Sequence, residues 1–313
     1  MTGRWGQLAG LLALIVMCAG CGTSNRLFGP VQHTPAAPAH IAGGAPSRIA
    51  VVVMENEEYS NIIGSRATPY INSLARRYAL VSSMFAVSHP SLPNYLALTG
   101  GSTFSISSDC TNCTVRAFGL GQQLSAGRIP WKAYMEGLPR PCFGGAQAGG
   151  YAKKHNPFIY YSPPPGCSHV VALSQLAVDE RGHALPRFVW ITPNLCHDMH
   201  DCSPATGDRF LSSLLPPLLS ALGRRGLLIL TWDEGTSDQG CCRLAHGGHV
   251  VTILAGSGAR RGAQLRTPVD HYSTLQTIED LFKLRRLRGA ACACTPSLAP
   301  LLARRTRRAI RTS

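Results

Sequence analysis

The pattern of hydrophobic and polar positions divides the chain into continuous apolar runs and the amphipathic segments between them. Continuous apolar runs rich in β-branched residues predict strands buried on both faces of a sheet. These runs are Arg48 to Asn56, Arg187 to Asn194, Leu227 to Gly235 and Val250 to Gly258. Because helical patterns lie between them, the sequence predicts an α/β fold, with a mostly parallel sheet covered by helices on both faces.

Three segments predict the principal helices. In "TPYINSLARRY", Thr68 takes the cap position and Pro69 the first helical position. "SSLLPPLLSAL" precedes the run that starts at Leu227, and its two prolines are expected to bend it. His271 to Leu284 forms an amphipathic pattern.

One serine has two competing interpretations. Ser91 stands in "HPSLPNYLALTGG", just before a Leu-Pro-Asn turn that opens into a helix of small residues. Its hydroxyl could cap the helix by accepting hydrogen bonds from the first backbone N–H groups. It could also be a nucleophile, placed where the positive end of a helix meets an anionic substrate.

Polar residues follow three of the predicted strands, namely Glu55 and Asn56, Asn194 with Asp198, and Asp233 and Glu234. Ligands of an open parallel sheet bind at the carboxyl ends of its strands, so we expect these groups to converge. Carboxylate and amide oxygens suit Mg²⁺, Ca²⁺ or Mn²⁺, and nearby histidines would also admit Zn²⁺ or Fe. Each residue alone could instead cap a following helix. Together they predict a metal site.

The first residues indicate export. "MTGRWGQLAGLLALIVMCAGC" has an early arginine, an apolar run from Leu8 to Met17 and small residues before Cys21. This is the pattern of a signal peptide, and "CAGC" resembles a bacterial lipobox, which would attach a lipid to Cys21. The stretch from Gly22 to Ser47 is rich in Pro, Ala, Gly and Ser and predicts a flexible linker.

Composition and cysteine content agree with a globular, exported protein. The 313 residues are 45% hydrophobic and 15% charged, which excludes a disordered or multi-span membrane chain. The net charge of +14 favours anionic partners, although a basic tail at 301–313 accounts for part of it. Of 12 cysteines, Cys18 and Cys21 belong to the leader, and the remaining even number predicts disulfides, most simply Cys110–Cys113 and Cys196–Cys202.

Six segments in the same order resemble the bacterial phosphoesterase family of secreted acid phosphatases and phospholipases C, within the alkaline phosphatase superfamily. They are "VVVMENEEYSNIIG", "HPSLPNYLALTGG", "YAKKHNPF", "TPNLCHDMHDCS", "TWDEG" and "DHYSTLQTIEDLF". They extend over most of the chain from Ile49 to Leu284. The resemblance implies an alkaline-phosphatase-like three-layer sandwich at 48–300.

The resemblance also implies roles for single residues. Ser91 would be the nucleophile and Asn94 an oxyanion donor, as in the similar "TFPN" element of nucleotide pyrophosphatases. One divalent cation would be held by Glu55, Asn56, Ser91, Asp233 and Glu234. The remaining matched positions would bind phosphate oxygens, hold a second metal or protonate the leaving group; they are Lys154, His155, Asn194, Asp198, His200 and His271. A structural role is the alternative for each histidine.

The sequence therefore predicts a metal-dependent phosphatase that hydrolyses phosphate monoesters through a phosphoserine. It would be exported and either lipid-anchored at the outer face of the cell membrane or secreted, with a phosphate ester as its partner and no nucleic acid. Two alternatives stay open, namely a phospholipase C acting on phospholipid diesters and a non-catalytic lipoprotein that binds anions. The sequence makes no prediction about oligomeric state.

Overall fold

The structure is a computed structural model and describes residues 46–242 and 245–303. The predicted signal peptide with Cys21, the linker up to residue 45 and the basic tail from residue 304 lie outside these residues. No helix in the described part of the chain has the length and apolar character needed to cross a membrane.

The fold is built on a nine-stranded sheet and a separate two-stranded hairpin. The strands are β1 (Arg48–Met54), β2 (Ala79–Phe85), β3 (Trp131–Met135), β4 (Gln147–Ala148), β5 (Tyr151–Ala152), β6 (Val170–Ala172), β7 (Phe188–Thr192), β8 (Gly226–Trp232), β9 (His249–Ala255), β10 (Gln264–Leu265) and β11 (Val269–Asp270). The helices are α1 (Tyr59–Ile62), α2 (Pro69–Arg77), α3 (Ser91–Gly100), α4 (Leu120–Ala126), α5 (Ser174–Arg181), α6 (Pro204–Leu222) and α7 (His271–Phe282).

The large sheet has the order β10-β2-β9-β8-β1-β7-β3-β6, and β11 also pairs with β2. β1 lies centrally and runs parallel to β7 and β8, whereas β9 is antiparallel to both of its neighbours. Helices α3 and α7 pack together, and α2 packs with α6. The predicted α/β class with a mostly parallel sheet is confirmed.

The sequence located the helices but not all of their contacts. α2 begins at Pro69 after Thr68, as predicted, yet the Thr68 hydroxyl donates to the Ile62 carbonyl (2.6 Å) and caps nothing. The Asp208 carboxylate of α6 caps α2 instead, accepting the N–H groups of Tyr70 (3.1 Å) and Ile71 (2.8 Å). The helix α6 runs without interruption through its two internal prolines.

Five disulfides lie in the described part of the chain. They are Cys110–Cys113, Cys142–Cys167, Cys196–Cys202, Cys241–Cys242 and Cys292–Cys294. The first and third confirm the predicted pairs. None of these five bridges includes a cysteine of a strand in the large sheet.

A buried carboxyl on α7 makes the stability depend on pH. Glu279 accepts the N–H of Leu287 (3.0 Å) through Oε1, while Oε2 and the nearby Gln123 Oε1 are both buried without a partner among the described residues. A hydrogen bond from the Gln123 side chain lowers the pKa of Glu279, but burial outweighs it. Burial raises the pKa of Glu279 to about 8, so the folded protein keeps the Glu279 proton at neutral pH.

We expect Glu279→Gln to flatten the pH dependence of stability. The unfolded chain releases the Glu279 proton near its ordinary pKa and the folded chain only near 8, so this group's contribution is lost as the pH rises through that window. The glutamine amide is neutral at every pH of this range and does not titrate. The free energy of unfolding of Glu279→Gln minus that of wild type should increase by on the order of 3 kcal/mol as the pH rises from 5 to 8. Urea unfolding at several pH values would measure it, and parallel profiles for the two proteins would contradict the assignment.

Candidate active site

Ser91 is the first residue of α3, at the carboxyl end of the sheet. The residue before it, Pro90, takes the cap position, and the structure shows no side-chain cap. The buried Ser91 hydroxyl lies instead 3.1 Å from Glu55 Oε2 and 3.1 Å from Glu234 Oε1. Because one hydroxyl proton serves only one of two carboxylates at a time, the serine is ready to lose it to either.

Glu55 follows β1 and lies at the centre of the site. Its N–H donates to the Asp198 carbonyl (2.9 Å), and its Oε1 accepts the hydroxyl of Tyr95. Tyr95 stands one helical turn after Ser91, so both residues face Glu55. Burial alone would raise the pKa of Glu55, but the charge of His155 and hydrogen bonds from His155 and Tyr95 lower it overall. Glu55 is therefore ionised.

Asp233 and Glu234 follow β8 beside Glu55. The Oδ1 atom of Asp233 accepts the N–H groups of Glu234 (2.6 Å) and Asn56 (3.3 Å). Its Oδ2 and the Oδ1 of Asn56 are buried without a partner among the described residues. Burial, followed by the charges of Glu55 and Glu234, raises the pKa of Asp233 well above its ordinary value.

These unpartnered oxygens fit a cation. Buried acceptors without donors are costly, and carboxylates crowded together repel one another. A divalent ion would satisfy the free oxygens of Asp233 and Asn56 and neutralise the charge of Glu55, so the donor set suits a hard metal ion. The predicted convergence of the ends of β1 and β8 is thus present in the structure.

His155 and Asp198 form a second potential ligand group with Glu55. One ligand atom from each of the three buried residues lies within 4.8 Å of the others. His155 Nε2 lies 3.1 Å from Glu55 Oε2, and its Nδ1 lies 3.3 Å from Asp198 Oδ2. This buried Glu/His/Asp group could bind a metal ion. Without one, Glu55 and Asp198 outweigh the burial of His155 and raise its pKa to about 9, so a proton takes the place of the metal.

Lys154 supplies positive charge at the edge of the site. Its Nζ lies 3.0 Å from Asp109 Oδ2 and 3.1 Å from His200 Nε2. The other oxygen of Asp109 accepts the N–H of Leu92 (2.9 Å) in the first turn of α3. Lys154 and the start of the serine helix are therefore held together through one carboxylate, an arrangement that suits an anionic group in front of Ser91.

His271, the first residue of α7, is buried behind Asp233. Its Nε2 lies 2.5 Å from the Asp233 carbonyl, which assigns the proton to that nitrogen. The Nδ1 has no partner among the described residues, and burial lowers the pKa of His271 to about 4. His271 is therefore a neutral ring at pH 7 that offers a lone pair, and it does not fit a proton donor.

Two predicted residues use their side-chain oxygens elsewhere. Asn194 Oδ1 accepts the N–H groups of Cys196 (3.0 Å) and His197 (2.8 Å), so this oxygen holds a turn. Asn94 Oδ1 accepts the N–H groups of Val87 (3.0 Å) and Ser88 (3.0 Å), and its Nδ2 donates to the Ser88 (2.6 Å) and Pro90 (3.2 Å) carbonyls. The geometry gives Asn94 the role of a brace under the serine turn and leaves no N–H for an oxyanion.

We expect Asn94→Ala to lower the stability of the protein more than its rate of catalysis. It leaves two backbone N–H groups and two carbonyls without their partners, at about 1–3 kcal/mol for each buried group that finds no water. The melting temperature should fall by at least about 5 °C. Thermal unfolding monitored by circular dichroism would test this. A melting temperature equal to wild type together with a hundredfold lower kcat would restore Asn94 as an oxyanion donor.

Three residues of the site were not predicted. Tyr95 had a signal, since it lies four positions after Ser91 on the same helix face. Asp109 directly precedes the Cys110–Cys113 bridge, which fixes its loop. His89 contacts Glu234 through Nδ1 and the Ser237 carbonyl through Nε2 (3.1 Å). Although burial opposes it, the hydrogen bond to Glu234 raises the pKa of His89.

Two solved structures, one of them from a protein in the alkaline phosphatase superfamily, have a fold similar to that of this chain. A superfamily protein from Vibrio parahaemolyticus matches with a TM-score of 0.57 and 12% identity, over 80% of this chain and 71% of that one. The lipoteichoic acid synthase LtaP from Listeria monocytogenes also matches with a TM-score of 0.57, at 9% identity over 82% of this chain and 78% of that one. At these identities the similarity defines the fold.

The sequence comparisons give the family. Residues 64–285 match the Phosphoesterase family, and the chain belongs to it. It is 34% identical to the phosphatidylinositol-3-phosphatase of Mycobacterium tuberculosis, over 76% of this chain and 77% of that protein. It is 29% identical to an acid phosphatase of Aspergillus fumigatus, over 76% of this chain but only 55% of the fungal protein. The chain is therefore a phosphoric ester hydrolase.

Proposed function

We propose that the protein is a metal-dependent phosphomonoesterase that works through a phosphoserine at Ser91. The observation that carries this proposal is the Ser91 hydroxyl, buried at the start of α3 and 3.1 Å from each of two carboxylates. A hydroxyl in this position meets incoming phosphate at a helix N-terminus and has a proton acceptor within reach.

The chain's own residues account for the proton and the new bond. Ser91 Oγ forms a bond to phosphorus while its proton passes to Glu234, whose pKa is raised by burial. The bond from phosphorus to the leaving oxygen breaks, and that oxygen takes a proton from water. A water molecule then attacks the phosphoserine and releases a proton to solvent, which replaces the one that the leaving oxygen took; the Oγ–P bond breaks, and Glu234 returns the proton to Ser91. Lys154 would bind the phosphate oxygens throughout.

Glu55, Asn56, Ser91, Asp233 and Glu234 would hold one divalent cation. A bound cation would stabilise the serine alkoxide and the negative charge on the phosphate oxygens. His155 and Asp198 adjoin this set through Glu55, and His155 would bind either a proton or a second ion. The unpartnered oxygens of Asp233 and Asn56 are the observation that supports a metal here.

A substrate panel tests the class of ester. Aryl phosphate, phosphatidylinositol 3-phosphate and a choline phosphodiester should be compared at equal concentration with the purified protein. The first is a monoester, and the second carries a monoester at its 3-position beside a glycerol diester, so release of inorganic phosphate is the reaction to measure; the Mycobacterium tuberculosis relative is named for the second. We expect both monoesters to be cleaved faster than the diester. Preference for the diester would replace the proposal with phospholipase C activity, and no turnover with any metal would favour a non-catalytic anion-binding protein.

We also propose that the chain is exported and lipidated at Cys21, on the basis of its leader sequence and of disulfides in the folded domain. Cys21→Ala should release the protein from membranes or stop its processing, and intact-mass analysis of the wild type should show a diacylglyceryl group. A mature N-terminus after residue 21 without lipid would contradict the anchor and leave secretion intact.

A further inference from the structure

The two ends of the large sheet carry opposite charge. The acidic residues of the site lie at the carboxyl ends of the strands. At the opposite end, where the strands begin, the neighbouring carboxylates are withdrawn from solvent. Asp179, Glu279 and Asp280 are buried, and Glu180 is half-buried. Asp179 and Asp280 are in addition paired with a lysine and an arginine.

Arginines from adjacent strands stand side by side at this end. Arg48 opens β1, Arg187 directly precedes β7, and Arg225 directly precedes β8. The backbone of Ser47 links two of them, since its N–H donates to the Arg225 carbonyl (2.7 Å) and its carbonyl accepts from Arg187 Nε (3.4 Å). A row of positively charged side chains therefore lies at the start of the central strands.

The helices that return to this end also finish with cations. Arg76 lies in the last turn of α2, Arg224 follows α6, and Lys283 and Arg285 follow α7, and all four are exposed. A cation at a helix C-terminus is favoured by the helix dipole, which explains one residue in the last turn. The dipole effect is limited to that turn and does not explain the cations that continue after α7.

We define the basic face by six exposed residues, Arg76, Arg187, Arg224, Lys283, Arg285 and Arg288. Two cavities open on it. One of about 500 Å³ is lined by Arg48, Lys132 and Arg187, and one of about 570 Å³ by the 283–288 segment and Phe118. Phe118 is 49% exposed, although Arg288 fixes its backbone by donating to its carbonyl (3.0 Å). Cationic cavities beside an exposed aromatic ring fit phosphate head groups at the edge of an apolar layer.

We propose that the basic face docks on a membrane surface rich in anionic phospholipids and turns the active site away from it. Both ends of the described chain reach this side. Ser47 precedes β1 here. Near the other end, the Ala303 N–H donates to the Gly258 carbonyl (2.8 Å), and the Gly258 N–H donates to the carbonyl of Gly226 at the start of β8 (2.8 Å). The predicted lipid anchor and the arginine-rich tail therefore join the domain on the docking side. A row of eight strands spaced about 4.8 Å apart makes this side about 35 Å long, enough for many head groups.

Vesicle binding of a charge variant and a matched control tests this proposal independently of catalysis. The full chain carrying Cys21→Ala, which cannot be lipidated at that position, is sedimented with phosphatidylglycerol or with phosphatidylcholine vesicles. The face variant is Arg76→Gln, Arg224→Gln and Arg285→Gln. The control is Arg66→Gln, Arg140→Gln and Arg209→Gln, which removes equal charge from exposed residues away from the face. Circular dichroism should show both variants folded.

The face variant should bind phosphatidylglycerol about a hundredfold more weakly, since each cation at an anionic surface contributes about fivefold. The control should stay within about threefold of its parent, and bound protein should hydrolyse aryl phosphate as fast as free protein.

Equal weakening of vesicle binding in both variants, or no preference for anionic vesicles, would overturn the docking face. Tighter binding to a DNA duplex than to vesicles would overturn the membrane as partner. Loss of aryl phosphate hydrolysis on the vesicle would overturn the outward orientation.

Discussion

Replacing Ser91 with alanine should lower kcat for an aryl phosphate by roughly a thousandfold or more. The hydroxyl between Glu55 and Glu234 is the only part of Ser91 that the substitution removes, and the proposed mechanism forms its first covalent bond there. Acid quenching of the wild type during turnover should trap phosphate on the peptide containing Ser91, which mass spectrometry would detect. The alanine variant should show no such peptide and should bind metal less tightly.

Ser88→Ala is the matched control for this experiment. Its hydroxyl lies in the same turn and donates to the His89 carbonyl (3.0 Å), away from the two carboxylates. Turnover by Ser88→Ala should stay within a few-fold of wild type. An unchanged kcat in Ser91→Ala would eliminate the phosphoserine mechanism and leave the serine as a structural residue at the start of α3.

Asp233→Asn should reduce both metal content and turnover. The asparagine keeps an oxygen for the N–H groups of Asn56 and Glu234 but removes the charge that a divalent ion would neutralise. We expect kcat to fall by roughly a thousandfold, and chelation of the wild type should give the same loss. The double variant Ser91→Ala with Asp233→Asn should be little worse than either single variant, because the two residues act as a unit. Elemental analysis and steady-state kinetics would measure these effects.

A buried aspartate at the other end of the sheet provides the control for Asp233. Asp179→Asn removes a carboxylate that pairs with Lys132 (2.6 Å) and Tyr134 (2.6 Å), so it should lower stability and leave the metal content unchanged. Asp233→Asn should show the reverse pattern. Full metal content and normal turnover in Asp233→Asn would refute the proposed ligand set.

The sequence predicted those strands whose whole length is buried. β1, β7, β8 and β9 are apolar at nearly every position; β1 and β7 lie within the predicted runs, and β8 and β9 each begin one residue before theirs. β2 reads "ALVSSMF" and β3 is only five residues long, so neither gave a comparable run. Periodicity reports burial and therefore finds the central strands before the peripheral ones.

The site was predictable where function depends on the end of a strand. Glu55 and Asp233 converge because parallel strands end at one edge. Asp109 and His89 reach the site from loops, whose paths are set by tertiary contacts that no periodic pattern encodes. Asn94 shows a further limit of prediction from sequence. A motif gives the residue type at a position, but it does not give the groups to which the side-chain amide will be hydrogen-bonded.

The positions of the disulfides separate the maturation of the site from the folding of the sheet. Cys110–Cys113 adjoins Asp109, Cys142–Cys167 encloses the Lys154–His155 segment, Cys196–Cys202 encloses Asp198 and His200, and Cys241–Cys242 lies in the loop after Glu234. The strands of the large sheet carry none of these cysteines, so the core can assemble while all of them are still reduced. Oxidation then closes the loops that bear the catalytic groups. Reduction of the bridges should therefore disturb the loops of the proposed site before it disturbs the sheet.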